Sequence, residues 1–227
     1  MKNIPKIIHQ IAPRDKSLWD EKWHVCQKSW IDAIEQSNRI TGSETIEYRM
    51  WTDEDLDQFV RESFPDLYPF YMRYIYNISR IDFARYLILQ TFGGVYADMD
   101  YEYMEPVMNL WNISDDFDVA VVESPFPNNE YVQNSFMMST KGHKFWEFVI
   151  HVMQITTEGT ILDTTGPRML SKCVMVARKN GIDVHVLDKK VFNPSYEDQE
   201  AFNAPSVITR HHGTMIWFKR NGSALGR

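Results

Sequence analysis

Apolar and polar residues along this chain alternate between two rhythms. Pro5 to Gln10 is a short apolar run with a polar end, which predicts a first buried strand. Trp19, Trp23, Cys26, Trp30 and Ala33 then recur at steps of four and three, the spacing of one face of a packed helix. Ile46 to Trp51 predicts a second strand. Thr52 follows as an N-cap, and Asp53-Glu54-Asp55 place acids where a helix dipole favours them. From Asp66 to Phe92 the spacing is helical with one break near Asn77. Gly93-Gly94 ends that helix, because glycine tolerates a left-handed cap. Val95-Tyr96-Ala97, Val119 to Glu123, Phe136 to Met138 and Val184 to Leu187 read as further strands. His143 to Thr157 is amphipathic, and Gly166-Pro167 opens another helix with Pro167 in its first turn. Strands and helices that alternate in this way predict an α/β fold with a largely parallel sheet.

No repeat, low-complexity tract or Gly/Ser linker divides the 227 residues, so one domain is expected over 1–227. Hydrophobic residues make up 44% and charged residues 24%, which excludes intrinsic disorder. Net charge is −7 with no Lys/Arg run, which argues against nucleic-acid binding. No apolar stretch reaches the roughly 18 residues of a membrane span, and the first residues show no signal-peptide core. Two cysteines, Cys26 and Cys173, read as reduced core thiols of a cytoplasmic protein rather than a disulfide framework. Aromatics reach 14%, enough to supply both a core and stacking surfaces for bases or sugar rings.

The chemistry concentrates at Asp98-Met99-Asp100, directly after a strand. Acids at i and i+2 share a strand face and can address one cation, and their oxygens suit Mg²⁺ or Mn²⁺. Open α/β sheets bind ligands at that end of their strands. A bare Asp-x-Asp is equally a solvated acidic turn. Upstream, however, Asp82 and Arg85 lie three apart on one face of an otherwise apolar helix that runs through Gly93-Gly94 into the same strand. They form either a structural ion pair or part of one crevice with Asp98 and Asp100. Near the C-terminus stands Thr209-Arg210-His211-His212-Gly213-Thr214-Met215-Ile216-Trp217. Adjacent histidines point oppositely on a strand, so one of the two can join the acids. Gly213 favours His212, with His211 left open. The Asp-x-Asp also admits two other readings: a Mg²⁺-dependent phosphohydrolase, which wants a longer strand before the first Asp, and a non-catalytic nucleotide-sugar-binding module.

The block from Ser79 to Asp100 resembles the DXD sugar-binding region of glycosyltransferase family 32, with its full spacing. Ile4-Pro5-Lys6-Ile7-Ile8-His9-Gln10, Asn134-Ser135-Phe136 with Lys141-Gly142-His143, and Thr165-Gly166-Pro167 resemble further family segments in the expected order. The resemblance implies a glycosyltransferase-A fold, with a Rossmann-like nucleotide-binding part over about 1–105 and an acceptor-binding, closing part over about 106–227. It implies a retaining hexosyltransferase that uses a UDP- or GDP-sugar, Mn²⁺ or Mg²⁺, and a glycan, lipid-linked or protein acceptor. By the same resemblance Asp82, Arg85, Asp98 and Asp100 are catalytic. His9, Gln10, Asn134, Gly166 and Trp217 join Asp82, Arg85 and Asp98 at the donor, and Asp98, Asp100, His211 and His212 are the candidate metal ligands. The family's opening strand is usually followed by Trp, where this chain has Ile11-Ala12-Pro13.

Overall fold

A computed structural model describes residues 4–42, 45–106, 108–126 and 131–216. The chain runs β1 (Ile7–Ile11), α1 (Glu21–Thr41), β2 (Glu47–Trp51), α2 (Asp53–Ser63), α3 (Tyr68–Arg73), α4 (Asn77–Phe92), β3 (Gly94–Ala97) and β4 (Tyr101–Tyr103). It continues with β5 (Val119–Glu123), β6 (Val132–Ser139), α5 (Lys144–Ile155), α6 (Ile161–Thr164), α7 (Pro167–Lys179), β7 (His185–Leu187) and β8 (Thr209–His211). Six strands form one sheet in the order β2-β1-β3-β6-β5-β7. It is mostly parallel, as expected, except that β6 runs antiparallel to β3 and β5.

The alternation of side chains sorts the sheet's two faces. Tyr96, Val119, Val121 and Met137 point to a core built with α2, α4, α5 and α7. Val95, Ala97, Ala120, Val122, Phe136 and Met138 point the other way, against Trp30 and Ala33 of α1. The result is helix–sheet–helix layering in which α4 is buried on nearly every side from Ser79 to Leu89. This explains why its charged residues must find partners inside the protein.

The sequence boundaries hold with physical adjustments. The break near Asn77 falls at residues 74–76, between α3 and α4. Thr52 and Asp55 form a reciprocal cap on α2. Trp19 lies before α1, whose N-cap is Asp20. β6 is longer than its apolar triplet because Gln133 and Asn134 continue the strand with polar side chains. Both cysteines are buried free thiols. The sequence pattern does not foresee a second, two-stranded sheet, in which β4 pairs antiparallel with β8 (Tyr101↔His211, Tyr103↔Thr209). Among the described residues no helix is long and apolar enough to cross a membrane.

Two backbone features aim the chain at the C-terminal end of β3, inside the sheet. Gly93 (φ 66°) and Gly94 (φ 92°) turn α4 into β3 where a Cβ on Gly94 would meet the Ile7 carbonyl oxygen at 2.4 Å. Past β3, the Asp98 amide donates to the Ser135 carbonyl (2.8 Å), and the Tyr101 amide closes a turn onto the Asp98 carbonyl (3.0 Å). That turn carries Asp98-Met99-Asp100 at the C-terminal end of β3, beside the end of β1.

Candidate active site

A cleft of about 320 Å³ opens at this end of the sheet. Asp82, Arg85, Asp98, Asp100, Asn134, Gly166 and His211 all line it, so residues from α4, the turn after β3, β6, the start of α7 and β8 converge on one volume.

Arg85 occupies its centre. One terminal nitrogen lies 3.2 Å from Asp82 Oδ1; the other lies 3.1 Å from Asp98 Oδ1 and donates to the Asn134 carbonyl at 2.8 Å. The guanidinium stacks 4.7 Å above the Tyr96 ring, and its Nε is buried with no partner among the described residues. Asp82 is almost fully enclosed. Its Oδ1 accepts from Asn134 Nδ2 (2.9 Å) and its Oδ2 from the Thr165 hydroxyl (2.7 Å). Burial pushes its carboxyl up to about 6, against the pull of Arg85. Asn134 also donates to Tyr86 Oη at 3.1 Å.

Asp98 takes Arg85 and the Tyr96 hydroxyl (2.7 Å) on Oδ1. Burial raises its pKa, with Arg85 opposing. Asp100 is bonded on both oxygens. His211 Nε2 lies 3.1 Å from Oδ1, and the Thr214 amide (2.8 Å) and hydroxyl (2.9 Å) donate to Oδ2. Burial acts to raise the Asp100 carboxyl, but His211 and Thr214 outweigh it and hold the group well below the usual carboxylate range. Burial likewise opposes protonation of His211, yet the Asp100 carboxylate lifts its pKa above the ordinary value.

Asp98, Asp100 and His211 each offer a ligand atom, all within 4.8 Å of one another. Two carboxylate oxygens and an imidazole nitrogen at that spacing fit one divalent cation of the Mn²⁺ or Mg²⁺ type. The ribbon decides between the histidines. Tyr101 pairs with His211 in register and stacks on it at 4.6 Å, which sets that imidazole beside the acids. His212, the next residue, turns away. Its Nε2 meets Glu102 Oε2 at 2.8 Å, and Glu102 also takes Arg210 Nε at 2.8 Å. The structure therefore sets His211, rather than the favoured His212, beside the two acids.

The side chains of His9 and Gln10 also lie away from the cleft surface. Both are fully buried beneath the cleft and do not line it. His9 Nδ1 accepts from Trp51 Nε1 (3.2 Å), so its Nε2 donates to the Gly93 carbonyl (3.0 Å); burial pulls its pKa down to about 4. It ties β1 to the α4–β3 turn as a neutral imidazole. Gln10 accepts from the Tyr48 hydroxyl (2.6 Å) and donates to the Asp98 carbonyl (3.1 Å), so it braces the turn through its backbone. Trp217 lies outside the described residues. The sequence reading missed Thr165, Thr214 and Trp23. Thr165-Gly166-Pro167 flagged its neighbours, whereas nothing local marks Thr214 or Trp23.

The sequence profile described as "Glycosyltransferase sugar-binding region containing DXD motif" matches residues 20–125. Inositol phosphoceramide mannosyltransferase 3 of Schizosaccharomyces pombe is 32% identical over 74% of this chain and 44% of its own length. Inositol phosphoceramide mannosyltransferase 1 of the same organism is 28% identical over 99% of this chain and 69% of its own. The chain thus spans less than half of the first relative. Mouse xyloside xylosyltransferase 1 superposes with a TM-score of 0.53 over 93% of this chain and 99% of that one, at 10% identity. The fold is that of the glycosyltransferase-A class. With the Asp-x-Asp turn lining the cleft and the profile matched across it, the chain carries a segment that matches the DXD-containing sugar-binding region of glycosyltransferases and resembles that family.

Proposed function

We propose that this chain is a metal-dependent, retaining hexosyltransferase. It takes a hexose from a UDP- or GDP-sugar and delivers it to a hydroxyl of a glycan, lipid-linked or protein acceptor. The observation that carries this reading is that Asp98, Asp100 and His211 each offer a ligand atom within 4.8 Å of the others, beside an Arg85 whose Nε has no acceptor among the described residues. A bound Mn²⁺ or Mg²⁺ would supply positive charge against the diphosphate as the glycosidic bond breaks. Arg85 adds a permanent charge with donors in a planar fork. Asp82 and Asn134 border the position of the donor sugar. Residues to about 105 hold the nucleotide, and those from about 106 onward supply Asn134, Gly166 and the closing segment. The two fungal relatives are named for mannosylating inositol phosphoceramide, so GDP-mannose with an inositol-bearing lipid is the first pair to assay, beside UDP-glucose.

Retention favours front-face attack over a covalent glycosyl-enzyme. The acid nearest the sugar, Asp82, has its oxygens engaged by Arg85, Asn134 and Thr165, which leaves it poorly placed as a nucleophile. The departing phosphate oxygen then takes the acceptor's proton. The test is donor hydrolysis and transfer with Mn²⁺, with EDTA, and in Asp100→Asn. Both EDTA and the substitution should abolish turnover, the product of an α-linked donor should be α, and a fluorinated donor should leave no adduct by intact mass. Activity indifferent to chelation refutes the metal; a β product refutes retention.

A further inference from the structure

The bonds around Asp100 have a direction. A carboxylate has about four lone-pair sites, and Thr214 fills both on Oδ2 with its amide at 2.8 Å and its hydroxyl at 2.9 Å. A hydroxyl has one proton. Trp23 Nε1, which can only donate, lies 3.1 Å from the Thr214 hydroxyl oxygen. That oxygen therefore accepts from Trp23, and its own proton goes to Asp100. The relay starts on α1, crosses to the segment after β8 and ends on the second acid of the Asp-x-Asp turn. It spans 191 residues of sequence in its first step and 114 in its second.

The consequence lies on the other oxygen. With Oδ2 saturated, the carboxylate cannot rotate without breaking two charge-assisted bonds. Among the described residues Oδ1 is left with one partner, His211, and stays directed at the space shared with Asp98. Gly213 permits this geometry: its φ is 57°, and a Cβ there would meet the Tyr196 ring at 2.6 Å. Outer partners of a ligating carboxylate tune metal affinity by fixing its orientation.

We propose that Trp23 and Thr214 are positioning residues that lock Asp100 with Oδ1 turned to the cation, so that α1 and the closing segment together set metal affinity. The inference rests on the proposed metal-dependent function but is read without turnover. The experiment titrates the purified chain with Mn²⁺, with no sugar nucleotide present, and follows free Mn²⁺ by electron paramagnetic resonance. Thr214→Val keeps the shape and the amide and removes the hydroxyl; it should weaken Mn²⁺ binding about tenfold, the low end for lost outer partners. Thr214→Ser should stay within about twofold of wild type. Trp23→Phe should weaken binding in the same direction, and adding it to Thr214→Val should cost nothing further, because both cut one relay. Unchanged or tighter binding in Thr214→Val overturns the proposal, as does full additivity of the double variant. If Thr214→Val fails to fold, Trp23→Phe and Thr214→Ser decide: weakened and unweakened binding respectively support the relay, and any other pair refutes it. A wild type that hydrolyses a sugar nucleotide with Mn²⁺ while Thr214→Val binds the ion normally sinks the relay and leaves the function standing. A wild type that takes up no Mn²⁺ sinks both.

Discussion

At the scale of single residues, the site depends on which side chains share an atom. Arg85 serves Asp82, Asp98 and the Asn134 carbonyl at once, which an ammonium cannot reproduce. Arg85→Lys should therefore lower kcat by about 10–100-fold, the worth of one hydrogen bond to a charged group, while the charge is kept. Unaltered steady-state kinetics would return the Asp82–Arg85 pair to a structural ion pair. The two histidines offer a sharper contrast. His211→Asn should weaken Mn²⁺ binding by at least about tenfold. His212→Asn should leave metal affinity unchanged and lose about 1 kcal/mol of stability with the Glu102 contact. Isothermal calorimetry on both variants decides, and equal losses would mean the ribbon does not sort them. The acids and Arg85 are legible in the sequence because charges in an apolar helix and at a strand end are conspicuous. Thr214 is not, since its role exists only through Asp100, 114 residues away.

At the scale of elements, the long ones follow from periodicity and the short ones do not. α4 spans Asn77–Phe92 with a continuous buried surface, and no other reading of that stretch is open. The ribbon of β4 and β8 has three residues per strand, too few for an alternation to declare itself, and its partners lie about 108 positions apart, as in Glu102 with Arg210. The glycine pair is legible as a helix stop, but its second function is not. Gly94 also lets β3 lie against β1, since a methyl group would stand 2.4 Å from the Ile7 oxygen at a φ of 92°. Strain and overpacking together put Gly94→Ala at about 2–6 kcal/mol. Its melting temperature should fall by roughly 4–24 °C, at 2–4 °C per kcal/mol for a chain of this size. Gly42 is the control: its φ of 68° is also left-handed, but none of the described residues lies within 4 Å of a Cβ there, so Gly42→Ala should lose only about 1 kcal/mol. Equal losses in the two variants would remove the close approach from the explanation.

At the scale of the whole molecule, two buried titrating groups pull the stability of the fold in opposite directions as pH changes. His9 titrates at an ordinary 6.5 when unfolded and about 4 when folded, because burial disfavours its cation. Between these values the unfolded chain binds more protons, so this residue makes stability fall on acidification. The difference of about 2.5 units corresponds to about 3 kcal/mol. Asp82 has the reverse sign. Its folded pKa of about 6 stands above the ordinary 3.8, so within that window the folded chain binds more protons and acidification stabilises it. The wild-type curve between pH 6 and 4 should therefore be flatter than either group alone would make it. Replacing His9 separates the two effects. His9→Gln keeps a side-chain amide able to donate to the Gly93 carbonyl but removes the titration. It should lose stability at pH 7, where the Trp51 and Gly93 contacts are disturbed, and recover relative to wild type by about 3 kcal/mol on going to pH 4. Urea unfolding of both proteins at half-unit steps would show the two curves converging or crossing. Parallel curves would mean that His9 titrates in the folded chain as it does in the unfolded one, and its assignment as a neutral strut between β1 and the α4–β3 turn would fail.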